Sequence, residues 1–116
     1  MAIIIYHNPR CSKSRETLQL LQDRGIEPEI REYLKDVPSA AEINELLSKL
    51  GIGARDLLRT KEAEYKEAGL DDASLDDAAV IAAMTQYPKL IERPIVINGA
   101  RARIGRPPES VLEILE

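Results

Sequence analysis

A short apolar strand running straight into a cysteine at a helix start constrains this chain more than any other feature. Ala2-Ile3-Ile4-Ile5-Tyr6 is a continuous apolar run, the pattern of a central strand covered on both faces. His7-Asn8-Pro9-Arg10 follows as a polar turn, and Cys11, the only cysteine, stands where the turn gives way to the helix opened by Ser12-Lys13-Ser14-Arg15. The first N–H groups of a helix have no partner inside it and carry partial positive charge. A thiolate there is stabilised, so the thiol pKa should fall below its usual value of about 8.5. The same N–H groups can hold a tetrahedral oxyanion. Arg10 flanks the thiol, Lys13 and Arg15 follow it, and His7 lies four residues upstream; a cationic or hydrogen-bonding neighbour would lower the pKa further. Pro9, Arg10, Ser12 and Lys13 would make a poor wall for an inert core thiol.

The remaining elements follow from periodicity and punctuation. A helix over residues 12–24 presents Leu18, Leu20 and Leu21, with Gly25 as its C-terminal stop. Residues 28–34 read as a second strand, parallel to the first through the helical crossover. Ser39-Ala40-Ala41-Glu42 is a capping box, followed by Ile43, Leu46, Leu47 and Leu50 on one face and a stop at Gly51. Residues 53–58 form a short turn or helix. Thr60 is expected to cap a short helix through Ala68, ended by Gly69, and Ser74 to Asp77 opens another that turns Val80, Ile81 and Met84 inward before Tyr87-Pro88. Asp71, Asp72, Asp76 and Asp77 have metal-ligand residue types, but carboxylates at a helix start are accounted for by the helix dipole, and no metal is expected. Residues 93–104 read as a hairpin about Asn98-Gly99, a type I′ signal, with Ala100, Ala102 and Ile104 on one face and Arg101 and Arg103 solvated on the other. Pro107-Pro108 opens a last helix with Val111, Leu112 and Leu115 as its apolar stripe. The order βαβ, helices, then ββα predicts an α/β protein with a thioredoxin-like mixed sheet. The expected organisation is a single domain over residues 1–116, with an inserted helical block at about 38–90.

Composition narrows the function classes. The chain has 116 residues, 44% hydrophobic and 31% charged, without Trp or Phe, which suits one ordinary globular domain whose core is built from Leu and Ile. The net charge of −4 argues against nucleic acid as a main partner. No apolar run approaches the roughly 18 residues of a membrane span, and no leader pattern opens the chain, so a cytoplasmic location is expected. One cysteine excludes an internal disulfide and a Cys-x-x-Cys pair.

Tyr6 through Leu18, together with Leu57-Leu58-Arg59, Glu92-Arg93-Pro94-Ile95-Val96 and Gly105-Arg106-Pro107, resembles the arsenate reductase family of the glutaredoxin-coupled, thioredoxin-fold type, in the right order over essentially the whole chain. The resemblance implies that Cys11 is the nucleophile and that Arg59, Arg93 and Arg106 bind the oxyanion. It implies that His7 matches the family's histidine near the thiol, that Ser14 supplies a hydroxyl that hydrogen-bonds the thiolate, and that Pro94 is the cis-proline beside it. It implies arsenate as substrate, glutathione as co-substrate, glutaredoxin as partner, and no bound cofactor. Longer members carry a C-terminal extension not found here.

The residues themselves agree with this chemistry. Arg59 sits at a helix boundary, Arg93 beside a strand start and Arg106 at a strand-to-helix turn, ends that a doubly covered sheet can bring together. Guanidinium groups donate paired hydrogen bonds to tetrahedral oxyanions and stay charged. Two rivals stand beside it. A transcriptional regulator of the same fold that binds RNA polymerase commonly uses Cys-x-x-Cys, and here that fourth position is Ser14. A general glutathione-dependent thiol reductase would not call for three anion-binding arginines.

Overall fold

The computed structural model describes residues 3–115; Ala2, read above as part of the first strand, lies outside them. The chain divides into two compact units, one formed by the segments up to Asp36 and from Arg93, the other Val37–Glu92.

The first unit is built on a four-stranded sheet of order β2-β1-β3-β4. β1 (Ile3–Tyr6) leads through the turn into α1 (Ser12–Asp23), and β2 (Glu29–Arg31) returns parallel to β1, with Ile5 opposite Ile30. β3 (Ile95–Asn98) pairs antiparallel with β1, and β4 (Arg101–Ile104) antiparallel with β3. This is the thioredoxin-like mixed sheet that the element order predicts. Ile5, Leu21, Val96, Val111 and Ile114 form its buried core, each burial contributing about 1.5–3 kcal/mol. The second strand is shorter than expected because the chain turns at once after it, the Lys35 and Asp36 N–H groups both donating to the Glu32 carbonyl at 2.9 Å; Ile30 is 48% exposed on this edge strand, while Tyr33, beyond it, is buried.

Three details of the hairpin and C-terminus differ from the sequence reading. Asn98 pairs with Arg101, so the two-residue loop is Gly99-Ala100. Gly99 has φ +62°, and among the described residues only glycines take positive φ; glycine at the first loop position is the type II′ pattern, not I′. The last helix is a 3-10 segment, Pro108–Ile114, whose buried residues Pro108, Val111 and Ile114 recur every third residue, as three residues per turn requires. Arg101 and Arg103 are not merely solvated. Arg101 Nη2 donates to the Ile114 carbonyl at 3.2 Å, and Arg103 Nε to Glu113 at 2.9 Å, so both hold the C-terminal segment against the hairpin.

The second unit is helical. α2 (Ala40–Leu50) carries the expected capping box between Ser39 and Glu42 and ends at Gly51, φ +71°. A 3-10 turn spans Ala54–Leu57, and α3 (Ala63–Glu67) and α4 (Asp77–Gln86) follow. Thr60 is not the cap of α3; Glu62 holds that position, because residues 59–62 first make a turn closed by the Glu62 N–H on the Arg59 carbonyl, 3.3 Å. Val80, Ile81 and Met84 are buried as expected, and Asp76 caps α4 by accepting from the Ala79 N–H. A single antiparallel bridge joins Leu58 to Ile91.

Candidate active site

Cys11 is the N-cap residue of α1, with extended backbone (φ −94°, ψ 124°). The turn before it is closed by its own hydrogen bonds. The Cys11 N–H donates to the Asn8 carbonyl at 3.0 Å, the Arg10 N–H to Asn8 Oδ1 at 3.0 Å, and Arg15 Nη1 to the Pro9 carbonyl at 3.0 Å. The polar turn and the capping Cys11 are thus strapped to the first turn of the helix, which fixes where the sulfur points.

Burial pushes the Cys11 thiol up, but the Ser14 N–H, the charge and hydrogen bond of Arg93, and the Lys13 N–H outweigh it, holding the pKa below the ordinary cysteine value. No side-chain cap hydrogen bond closes on the neutral thiol; the two N–H groups act by favouring the ionised sulfur. Arg106 Nη2 makes a long N–H···S contact of 3.9 Å with Cys11, while its Nε donates to the Arg93 carbonyl at 2.8 Å. Arg93 and Arg106 therefore both reach the thiol. Arg93 Nε is buried without an acceptor in the protein, a costly state for a charged donor that an incoming oxyanion would relieve. The Arg93–Pro94 and Arg106–Pro107 peptide bonds are cis, so Pro94 has the geometry implied by the resemblance.

His7 and Ser14 are brought together, in a way the sequence did not specify. His7 Nδ1 and Ser14 Oγ are 2.6 Å apart, and Ser14 Oγ also accepts the Asn8 N–H at 3.0 Å. The Ser14 group that acts on the sulfur is its backbone N–H, and its hydroxyl is spent on the turn. Both residues are buried. Desolvation is the main cause of a His7 pKa below the usual value, with Glu32 opposing it and Arg15 adding to it, so folding favours the neutral ring. Arg10 is exposed, and Lys13 pairs at 3.7 Å with Glu16; neither side chain is what depresses the thiol pKa.

Arg59 belongs to the second unit. Its Nε lies 3.4 Å from Glu62 and 3.9 Å from Glu92, yet Nε and Nη1 are buried without a hydrogen-bond acceptor. Two supporting residues were given no role by the sequence reading. Gly105 packs so closely on Thr17 and Pro94 that a Cβ would meet them at 2.6 and 2.8 Å. Thr17 is a buried polar residue of α1 with its hydroxyl on the Lys13 carbonyl, 2.9 Å. Gly105 stands in the Gly105-Arg106-Pro107 motif and Thr17 in the Tyr6 to Leu18 stretch, which was the available signal, although neither pattern says that the two residues touch. Among the described residues, no cluster of His, Cys, Asp and Glu could hold a metal ion, and the acidic run at 71–77 caps backbone: Asp72 accepts from the Ser74 N–H and hydroxyl at 2.9 and 2.6 Å.

A thioredoxin-like sheet that sets one acidified thiol at a helix start, with two arginines from the far end of the chain, defines a single-thiol protein of that fold. No helix among the described residues is long and apolar enough to cross a membrane. The chain belongs to the ArsC family, whose model matches residues 6–114, which bears out the family resemblance. It is 53% identical to an arsenate reductase of Haemophilus influenzae over 116 residues, covering 99% of this chain and 100% of the relative. It is 58% identical over 112 residues to YfgD of Escherichia coli K12, described as uncharacterized, covering 96% and 94% of the two chains. Among solved structures, the arsenate reductase from Vibrio cholerae superposes with a TM-score of 0.96 at 54% identity, over 99% of this chain and 98% of that one.

Proposed function

We propose that this protein reduces arsenate to arsenite, with Cys11 as nucleophile and glutathione and glutaredoxin as electron donors. The observation that carries the reading is the convergence of Arg93 and Arg106 on a thiol whose pKa is already depressed. An anionic nucleophile can approach an anionic substrate only where positive charge offsets their repulsion. The buried, unbonded Nε of Arg93 is a donor suited to an arsenate oxygen. The family resemblance adds Arg59 as a third oxyanion ligand, and its own unbonded Nε and Nη1 support that role.

The Cys11 thiolate attacks As(V), and one oxygen leaves as water after protonation. A glutathione thiol then replaces a second hydroxyl on arsenic. A glutaredoxin thiolate attacks the glutathione sulfur, forming a glutathione–glutaredoxin mixed disulfide. The electron pair of the broken S–As bond stays on arsenic and reduces it to As(III). Water then releases arsenite and returns Cys11. Two electrons are needed and the chain has one cysteine, so the other sulfurs must come from solution; Ser14 cannot take part in thiol–disulfide exchange. No bound cofactor enters. A free thiol working with glutathione suits the reducing cytoplasm.

The test is arsenite formation by the purified protein with three reductant systems. Glutathione plus glutaredoxin should sustain many turnovers, and thioredoxin with its reductase very few. Arg93→Ala and Arg106→Ala should each lower turnover on the order of 10²-fold, the scale of one lost oxyanion donor. Sustained turnover with thioredoxin as the sole thiol source would overturn the donor assignment, and no arsenite with any system would overturn the activity.

A further inference from the structure

We infer that Glu62 and Glu92 are counter-charges on Arg59 that set its affinity, weakening its hold on tetrahedral oxyanions so that they exchange readily; this rests on reading Arg59 as an oxyanion ligand. The three side chains are placed by backbone. Around the Leu58–Ile91 bridge, the Arg59 N–H donates to the Leu90 carbonyl at 2.7 Å and the Glu92 N–H to the Leu57 carbonyl at 2.9 Å. Alternation along the paired segments puts Arg59 and Glu92 on one face, opposite Leu58 and Ile91. The turn closed by the Glu62 N–H on the Arg59 carbonyl returns Glu62 to the same guanidinium. All three side chains are largely buried, 19% exposed for Arg59, 28% for Glu62 and 24% for Glu92.

A salt bridge serving the fold alone should close N–H···O bonds, because buried donors left open are costly and charge-assisted bonds are the strong ones. Here the nearest carboxylate oxygens stand 3.4 and 3.9 Å from Nε, and neither Nε nor Nη1 is hydrogen-bonded. The acids cancel the charge of Arg59 while leaving donors unspent. An oxyanion is the acceptor those donors lack, and on arrival it also feels two negative charges fixed behind the arginine. A unit charge roughly 6 Å away changes affinity about threefold even at the full dielectric of water, and by more where the pair is partly buried, so threefold is the lower bound. Each Glu→Gln change, which removes charge and keeps shape, should therefore tighten anion binding at least about threefold, and the pair at least about tenfold.

The experiment uses the full chain and inorganic phosphate as probe, titrated by calorimetry at low salt, with the arsenate KM measured in parallel. Glu62→Gln and Glu92→Gln should each lower the phosphate Kd and the arsenate KM, against Arg59→Ala, which should raise both. A merely structural role for the acids would loosen Arg59 and weaken phosphate, the opposite sign. Unchanged or weaker phosphate binding in the glutamine variants, with Arg59→Ala still damaging, overturns this inference alone. Unchanged phosphate binding in Arg59→Ala overturns the reading of Arg59 beneath it. If Glu92→Gln fails to fold, Glu62→Gln, outside the bridged segments, carries the same test.

Discussion

Gly105→Ala should damage both stability and the site, although the position has no side chain and touches no substrate. Its φ is ordinary, so the obstacle is space. An added Cβ would stand 2.6 Å from Thr17 Oγ1, 2.8 Å from Pro94 Cγ and 3.3 Å from Thr17 Cγ2. None of these neighbours yields easily. Thr17 is fully buried with its hydroxyl bonded to the Lys13 carbonyl, and Pro94 accepts the Gly105 N–H at 2.8 Å. Overpacking of this kind costs about 1–3 kcal/mol, and the reduced freedom of the unfolded chain returns about 0.4–1 kcal/mol. Contacts under 3 Å put the overpacking cost in the upper part of its range, about 2–3 kcal/mol, so the net loss should be about 1–2.6 kcal/mol, a factor of roughly 5–80 in the folded-to-unfolded ratio. Because Gly105 precedes Arg106 and Pro94 follows Arg93, the displacement passes to both arginines at the thiol. Urea unfolding should show a lowered midpoint with unchanged slope, and Cys11 alkylation should slow at pH 7. Combining Gly105→Ala with Thr17→Ala, which removes two of the three contacts, should cost clearly less than the sum of the single changes. A Gly105→Ala protein within about 0.5 kcal/mol of the parent, the range of ordinary surface substitutions, and alkylated at the parental rate would refute the reasoning.

The Cys11 thiol should be alkylated by iodoacetamide with a pH midpoint below the usual value of about 8.5, and Arg93→Ala should move it up, because Arg93 supplies both charge and a hydrogen bond to the thiolate; a parental midpoint at or above the free value contradicts the assignment. His7, buried and with a lowered pKa, makes folding favour the neutral ring. Its contribution is fully present above the unfolded histidine value of about 6.5 and is lost as pH falls toward the folded value, since the unfolded chain takes the proton first. Denaturant titrations should therefore show stability falling with pH below about 6.5, and His7→Gln should flatten that dependence; an equal slope in both proteins would assign it elsewhere.

Caps, stops and the helix-start cysteine were legible from neighbouring residues, and Arg93 and Arg106 from the family resemblance; the rest turned on contacts that no local pattern specifies. Cys11 at the helix start, the Ser39–Glu42 capping box and the Gly51 stop all depend on residues within a turn of one another. The length of β2 was set by the turn that closes the Lys35 and Asp36 N–H groups on the Glu32 carbonyl, which the apolar content of Ile30, Tyr33 and Leu34 does not reveal. Ser14 was singled out as a thiolate tuner, but its hydroxyl had to choose among acceptors and donors seven residues apart or fewer, and only the folded turn shows that His7 and Asn8 take it. Arg101 and Arg103 looked solvated because strand alternation says which face a residue occupies and nothing about a C-terminal segment returning to that face. The 3-10 geometry of Pro108–Ile114 was hidden because Val111, Leu112 and Leu115 fit an α-helical stripe as well as Val111 and Ile114 fit a three-residue one.

The hairpin explains why two arginines thirteen positions apart meet at one sulfur. Ile95 pairs with Ile104 and Asn98 with Arg101, so the strands are in register from the Gly99-Ala100 loop to the open end. Just beyond that end, the Gly105 N–H reaches the Pro94 carbonyl and Arg106 Nε the Arg93 carbonyl, each at 2.8 Å. The same guanidinium that holds the hairpin end together extends its other nitrogen to Cys11. Register in a two-residue hairpin is set by the loop, and four strand residues carry it about 13 Å. A one-residue slip at Gly99 would turn every side chain of β4 to the wrong face and move Arg106 off the Arg93 carbonyl. The cationic half of the site is thus specified by turn chemistry at the opposite end of the hairpin, and the thiol half by the strand-to-helix turn of α1. Gly105, wedged between Thr17 of α1 and Pro94, is where the two halves are held at a fixed distance.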